Sequence, residues 1–106
     1  MISTHVLDTA RGHPAEGVEV VLEREGVELA RAVTNADGRV GELLPAGIEL
    51  QDGRYRLTFD TGQYFRTLGE AAFYPEVSVV FTVAGGGHHH VPLLLSPFGY
   101  TTYRGS

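Results

Sequence analysis

The chain has 106 residues, 42% of them hydrophobic, with 8 Lys and Arg against 13 Asp and Glu for a formal net charge of -5. Such a length makes one globular domain with a modest core, which association between copies would help to stabilise. The interspersed charges give no basic stripe for nucleic acid, no apolar run reaches the roughly 20 residues of a membrane helix, and the lack of cysteine excludes disulfides and thiolate chemistry.

Met1 to His5 shows neither a basic n-region nor an apolar h-region, so no signal peptide is expected and the sequence reads as cytosolic. The first apolar run, Ile2 to Leu7, is a strand in which His5 shares parity with Ser3 and Leu7, opposite Ile2, Thr4 and Val6. Asp8-Thr9-Ala10-Arg11-Gly12-His13-Pro14 ends it. Runs at Val18 to Glu23 and Leu29 to Thr34 flank Glu25-Gly26, which predicts a hairpin. Asn35-Ala36-Asp37-Gly38-Arg39 has turn chemistry and reads as a loop. Gly53 to Asp60 alternates, with Tyr55, Leu57 and Phe59 on one side and Arg54, Arg56 and Thr58 on the other.

Thr61 to Phe73 is the one helical stretch, with Thr61 as the candidate N-cap, Pro75 just beyond, and Gly62 and Gly69 weakening it. Val77 to Val83 is a largely buried strand. Gly85-Gly86-Gly87 is a flexible connection to two final strands around Pro97-Phe98-Gly99. In the first of these, Val91, Leu93 and Leu95 share a face assigned to the core, and His88, His90, Pro92 and Leu94 share the other. Because Pro92 and Leu94 make that outer face apolar, a second subunit is expected to cover it. Seven or eight short strands and one small helix predict an all-β sandwich over residues 1–106, as one domain.

Five histidines, three of them consecutive at His88-His89-His90, are the chemical feature of the chain. A His triplet is often a solvated strand end. On a strand, His88 and His90 share a face and would suit a zinc or copper ion with His5 or a carboxylate. Neutral imidazoles near pH 7 also suit acid–base catalysis, given a group to orient them and a cation to stabilise negative charge. His5 and Arg39 are candidates for those parts, although spacing alone does not bring them together. Arg39 is either a surface arginine after a turn or a two-pronged hydrogen-bond donor to a planar, carbonyl-rich ligand. Tyr103, Ser106 and the terminal carboxylate are candidates to line a polar pocket. Ser96 and Thr102 read as structural. No nucleophile elbow, phosphate loop or nucleotide-binding glycine motif is present.

Nearly the whole chain resembles the 5-hydroxyisourate hydrolases, the enzyme branch of the transthyretin-like family. The resemblance rests on Ser3-Thr4-His5-Val6-Leu7-Asp8-Thr9, Gly12-His13-Pro14-Ala15, Thr34-Asn35-Ala36-Asp37-Gly38-Arg39, Thr61-Gly62-Gln63-Tyr64-Phe65 and Phe73-Tyr74-Pro75-Glu76. Its most specific part is His88-His89-His90-Val91-Pro92-Leu93-Leu94-Leu95-Ser96-Pro97 with the tail Tyr103-Arg104-Gly105-Ser106, an ending that the hormone-transporting transthyretins lack. It implies an eight-stranded sandwich with one short helix, assembled as a homotetramer, a dimer of dimers, with sites in the channel between dimers.

The resemblance also implies that His5, Arg39 and His90 are catalytic, that Tyr103 and Ser106 help bind substrate, and that no metal or cofactor is used. His89 stands where the family usually has Tyr, on the face opposite His90, and is not expected in the site. The implied reaction is hydrolysis of 5-hydroxyisourate, with no nucleic-acid or membrane partner. A non-catalytic carrier using the same channel, and a metal-binding sandwich using His5, His88 and His90, are the alternatives.

Overall fold

The computed structural model describes all of residues 1–106, and its strands follow the alternating runs while its turns fall at the Gly, Asp and Asn clusters. The elements are β1 (Ile2–Asp8), β2 (His13–Pro14), β3 (Glu19–Arg24), β4 (Val27–Val33), β5 (Arg39–Val40), β6 (Gly53–Phe59), α1 (Thr61–Thr67), β7 (Val77–Val83), β8 (His89–Ser96) and β9 (Gly99–Thr102). One sheet runs β2-β1-β8-β9, with β5 also paired to β1; the other runs β4-β3-β6-β7. The first and last parts of the chain therefore meet. β1 and β8 pair in parallel with Ser3 opposite His90 and His5 opposite Pro92, within sheets that are otherwise antiparallel.

The expected all-β sandwich is what forms, its core filled by the alternate residues of both sheets. Ile2, Val6, Val91, Leu93 and Leu95 come from one sheet, and Val20, Leu22, Tyr55, Leu57, Phe59, Val77 and Val83 from the other. Burying a side chain of this kind contributes about 1.5–3 kcal/mol relative to leaving it exposed. Because side chains alternate strictly, the same register that sends Val91 and Leu93 inward sends His90 and Pro92 outward. His89, opposite Ile2, lies on the inner face and is buried.

The Glu25-Gly26 hairpin forms as expected. Both residues have positive φ, 52° and 79°, as a two-residue type I′ turn requires.

Four local features differ from the sequence expectation, the first being that β7 is buried on one face only, with Ser78, Val80 and Thr82 exposed on the other. The helix is 7 residues long and ends well before Phe73, because Gly69 at φ 70° takes the left-handed position that terminates helices. Its N-cap is Asp60, whose carboxylate accepts a hydrogen bond from the Gln63 amide at 3.2 Å, so Thr61 is the first helical residue. The loop ending at Arg39 continues into β5, and a second short strand, β2, forms at His13–Pro14; both pair along the same edge of β1.

Behind the sheet, the buried Asp8 carboxylate is fully partnered. It accepts hydrogen bonds from the Tyr64 hydroxyl at 2.7 Å, the Ala10 and Arg11 amides, and the Arg11 guanidinium. Burial would push the Asp8 carboxyl up, but the bonds from Tyr64 and Arg11 outweigh it and hold the pKa below the usual value. This network ties the end of β1 to α1. No helix of the chain is long and apolar enough to cross a membrane.

Candidate active site

The outer face of the β1–β8 pair gathers the polar residues singled out in the sequence. His5 and Arg39 are direct partners across β1 and β5, so their side chains leave the sheet on one side. Ser3 and His90 are direct partners across β1 and β8, and Ser3 shares parity with His5. Two strand pairings with a shared central strand thus place His5, Arg39 and His90 on one face.

Arg39 is held in position by the turn before it. The Asn35 side-chain oxygen accepts hydrogen bonds from the Asp37 and Arg39 amides at 2.9 and 3.0 Å, and the Asn35 amide donates to the Arg39 carbonyl at 3.0 Å. Gly38 is essential to this turn. Its φ is 73°, and a Cβ there would stand 2.4 Å from the Val6 carbonyl oxygen. The ion pairs of the chain are made by Arg11 and Arg31, which leaves the exposed Arg39 guanidinium unpaired.

His90 is gripped on two sides. Its Nδ1 lies 2.7 Å from the Ser3 hydroxyl oxygen, which also lies 2.8 Å from His88 Nε2. On the other side the C-terminal tail folds back, and the Gly105 amide donates to the His90 carbonyl at 2.8 Å. The contact is so close that a Cβ at position 105 would stand 2.4 Å from His90 Cδ2 and 3.1 Å from Pro92 Cγ. The tail is further held by the Thr102 hydroxyl, which donates to the Pro92 carbonyl at 2.8 Å.

Both half-buried imidazoles sit below the ordinary histidine value of 6.5. For His5 the causes are burial and then the Arg39 guanidinium, opposed by a backbone hydrogen bond at Asp37 and by its charge. For His90 they are burial, then Arg39, His88 and His5, opposed by a backbone hydrogen bond at Ser3. Neutral at pH 7, both rings can accept a proton, beside a cation that can stabilise developing negative charge.

A cavity of about 220 Å³ opens on this face, lined in part by Ser3, Arg39, His88, His90 and Ser106. His5, although on the same face, is not among its lining residues, and neither is Tyr103. Tyr103 is more than half exposed and borders a separate cavity of about 310 Å³, with His89, His90 and Val91. His5, His88 and His90 do not come together as a set that could hold one metal ion, since the Ser3 hydroxyl occupies the space between His88 and His90.

Sequence reasoning gave no role to Ser3 or Gly105. The parity of Ser3 with His5 was a visible signal for the first, whereas nothing local marks the second.

The HIUase/Transthyretin family model matches residues 2–105. The 5-hydroxyisourate hydrolase of Mesorhizobium japonicum is 48% identical, the match covering 99% of this chain and 91% of that protein. The mouse 5-hydroxyisourate hydrolase is 47% identical, covering 99% of this chain and 94% of the mouse protein. Among solved structures, Klebsiella pneumoniae 5-hydroxyisourate hydrolase superposes with a TM-score of 0.91 at 45% identity, covering 99% of this chain and 98% of the other. Sea bream transthyretin in complex with thyroxine superposes with a TM-score of 0.90 at 32% identity, covering 98% and 93%. Matched from end to end in sequence and in fold, the chain belongs to the HIUase/Transthyretin family.

Proposed function

We propose that this chain, as a single domain over residues 1–106, hydrolyses 5-hydroxyisourate to 2-oxo-4-hydroxy-4-carboxy-5-ureidoimidazoline in urate degradation. The observation that carries this reading is the grouping of His5, Arg39 and His90 on one sheet face, both imidazoles with lowered pKa and the guanidinium unpaired. It agrees with the hydrolase names of relatives at 47–48% identity.

In the proposed reaction, water adds to the carbonyl carbon of a ring amide and the bond from that carbon to nitrogen breaks. The oxygen of water stays on the new carboxylate, and the ring nitrogen gains a proton. One of His5 and His90 takes the proton of water while the other orients water or substrate. Arg39 donates to the ring carbonyls and stabilises the oxyanion. Ser106 and Tyr103 contact the substrate, Ser106 from the cavity that also holds Arg39 and His90. The electron-poor ring is already activated toward water, so the chemistry calls for no metal or cofactor.

The assembly we propose is a homotetramer, a dimer of dimers, in the cytoplasm. Its support is that β7 and β9 are each the unpaired edge of a sheet, and that Val80, Tyr100 and Tyr103 are exposed on or beside them. A second subunit across the outer face would enclose the cavity and bring Tyr103 toward a site. The likeness to a thyroxine-bound transthyretin supports a second reading, a carrier without turnover.

Stopped-flow ultraviolet absorbance of freshly generated 5-hydroxyisourate, with EDTA present, tests the first reading. Protein-dependent decay of the substrate signal is expected, and His90→Ala should slow it by about 10²-fold or more while the fold persists. Decay of substrate at the spontaneous rate with the unaltered protein would leave the carrier reading.

A further inference from the structure

The Ser3 hydroxyl stands between two imidazoles, at 2.8 Å from His88 Nε2 and 2.7 Å from His90 Nδ1. Ser3 is buried and rigidly placed on β1, directly across from His90. A hydroxyl has one proton to donate and two lone pairs, and a neutral imidazole has one N–H and one bare nitrogen. These counts restrict how the three groups combine. Both rings cannot accept from Ser3, because it has only one proton. If Ser3 donates to His90 Nδ1, the proton of that ring sits on Nε2, and the ring has no lone pair left for a base to use. If His90 Nδ1–H donates to Ser3, the serine proton is free to go to His88 Nε2. His90 Nε2 is then bare, and it is the ring nitrogen without a protein partner.

We propose that Ser3 and His88 are positioning residues that fix His90 as the Nδ1–H tautomer and so make its Nε2 the proton acceptor. This inference rests on the reading of His90 as a participant in hydrolysis. The same arrangement survives the reaction. When Nε2 takes a proton, Nδ1–H continues to donate to Ser3, so no bond in the chain has to reorganise. The ring is also prevented from turning over. A half-rotation would exchange Nδ1 with Cδ2, placing a carbon against the Ser3 hydroxyl and the polar nitrogen against the Gly105 backbone. His88 is exposed, stands next to the start of β8 and makes no other side-chain hydrogen bond. Its ring centroid lies 6.0 Å from that of His90, too far for direct contact between the polar atoms, so the serine is the link. The charged and titratable groups around His90 are Arg39 on β5, His5 on β1, His88, the terminal Ser106 and, on the side of the second cavity, His89, Tyr103 and Arg104.

The test combines kinetics with ¹⁵N NMR of the His90 ring in the intact protein. The expected spectrum shows Nδ1 protonated and Nε2 bare. Ser3→Ala should mix the tautomers and lower kcat by roughly 10- to 100-fold, with KM within about twofold, as expected when a general base is misoriented rather than removed. Ser3→Thr, which keeps the hydroxyl, should recover most of the loss. His88→Phe alters an exposed residue and should shift His90 toward the Nε2–H form with a smaller fall in kcat, so it decides the matter even if Ser3→Ala does not fold.

An unchanged His90 spectrum and unchanged kcat in His88→Phe, or in a folded Ser3→Ala, would overturn the relay. A fully active His90→Ala would instead overturn the reading on which it rests. The tautomer measurement needs no turnover, so the two failures are distinguishable.

Discussion

Replacing Gly105 by Ala adds one methyl group at the back of His90. Ordinary carbon contacts lie at about 3.5–4.0 Å, and the new Cβ would stand 2.4 Å from His90 Cδ2, 3.1 Å from Cγ and 3.1 Å from Pro92 Cγ. The ring or the tail must therefore give way by about 1 Å, a misplacement that can cost about 10²-fold in rate when it occurs at a reacting group. Pro92 is buried and the Ser3 hydroxyl holds Nδ1, so the softer response is for the tail to lift. Lifting gives up the Gly105 amide bond to the His90 carbonyl, a net loss of about 0.5–1.5 kcal/mol, and moves Ser106 away from the cavity.

The expected outcome is a fall in kcat/KM of about 10- to 100-fold with a loss in Tm of about 2–12 °C, at roughly 4–8 °C per kcal/mol for a domain of this size. Stopped-flow decay of 5-hydroxyisourate and thermal unfolding measure the two. Gly99→Ala is the control, since its Cβ would have only an ordinary contact, 3.7 Å from the Ser96 hydroxyl oxygen. If Gly105→Ala keeps the kcat/KM of the parent, the close packing of tail on imidazole is not what orders the site.

The lowered pKa values of His5 and His90 predict that kcat/KM falls on the acid side with an apparent value below 6.5. The unfolded chain binds those protons first, so stability should also decline as pH drops from 6.5 toward the folded values; a limb centred above 6.5 would contradict both. Asp8 acts at lower pH: with its folded pKa depressed, its contribution is fully present above about pH 4 and is lost as pH falls through the folded value. Tyr64→Phe removes the 2.7 Å hydrogen bond to that carboxylate and should cost about 1.5–3 kcal/mol by denaturant titration at pH 7, with a shallower acid dependence. An unchanged midpoint would mean that Arg11 and the backbone amides suffice. Glu25 has its φ of 52° in a type I′ turn, where Asn is favoured, so Glu25→Asn should add up to about 1 kcal/mol and raise Tm. A lower Tm would show that the strain is already relieved.

Local chemistry made much of this architecture readable from the residues alone. Apolar runs and alternation identify the six longer strands, the Pro97-Phe98-Gly99 turn marks the last short one, and turn residues mark the Glu25-Gly26 and Asn35–Arg39 connections. Parity separated Val91, Leu93 and Leu95 from His90, because a strand has only two faces and one of them must be apolar. The helix is shorter than its sequence pattern predicts, since its stop depends on a single left-handed residue, Gly69, within a stretch that otherwise tolerates helix. Family motifs pointed to His5, Arg39 and His90 as the residues to bring together, but no spacing rule relates positions that far apart. Their meeting depends on register. His5 faces Arg39 because β5 pairs with β1, and Ser3 faces His90 because the two ends of the chain pair in parallel. Those alignments are selected by burying Ile2, Val6, Val91 and Leu93 in one core, a cooperative outcome that a slip of one residue would destroy. Residue types and periodicity thus determined the strands, their faces and the kind of chemistry available. Tertiary pairing alone decided that one serine hydroxyl lies between two histidines and that only glycine fits behind the second, because both contacts join segments remote in sequence through non-local packing.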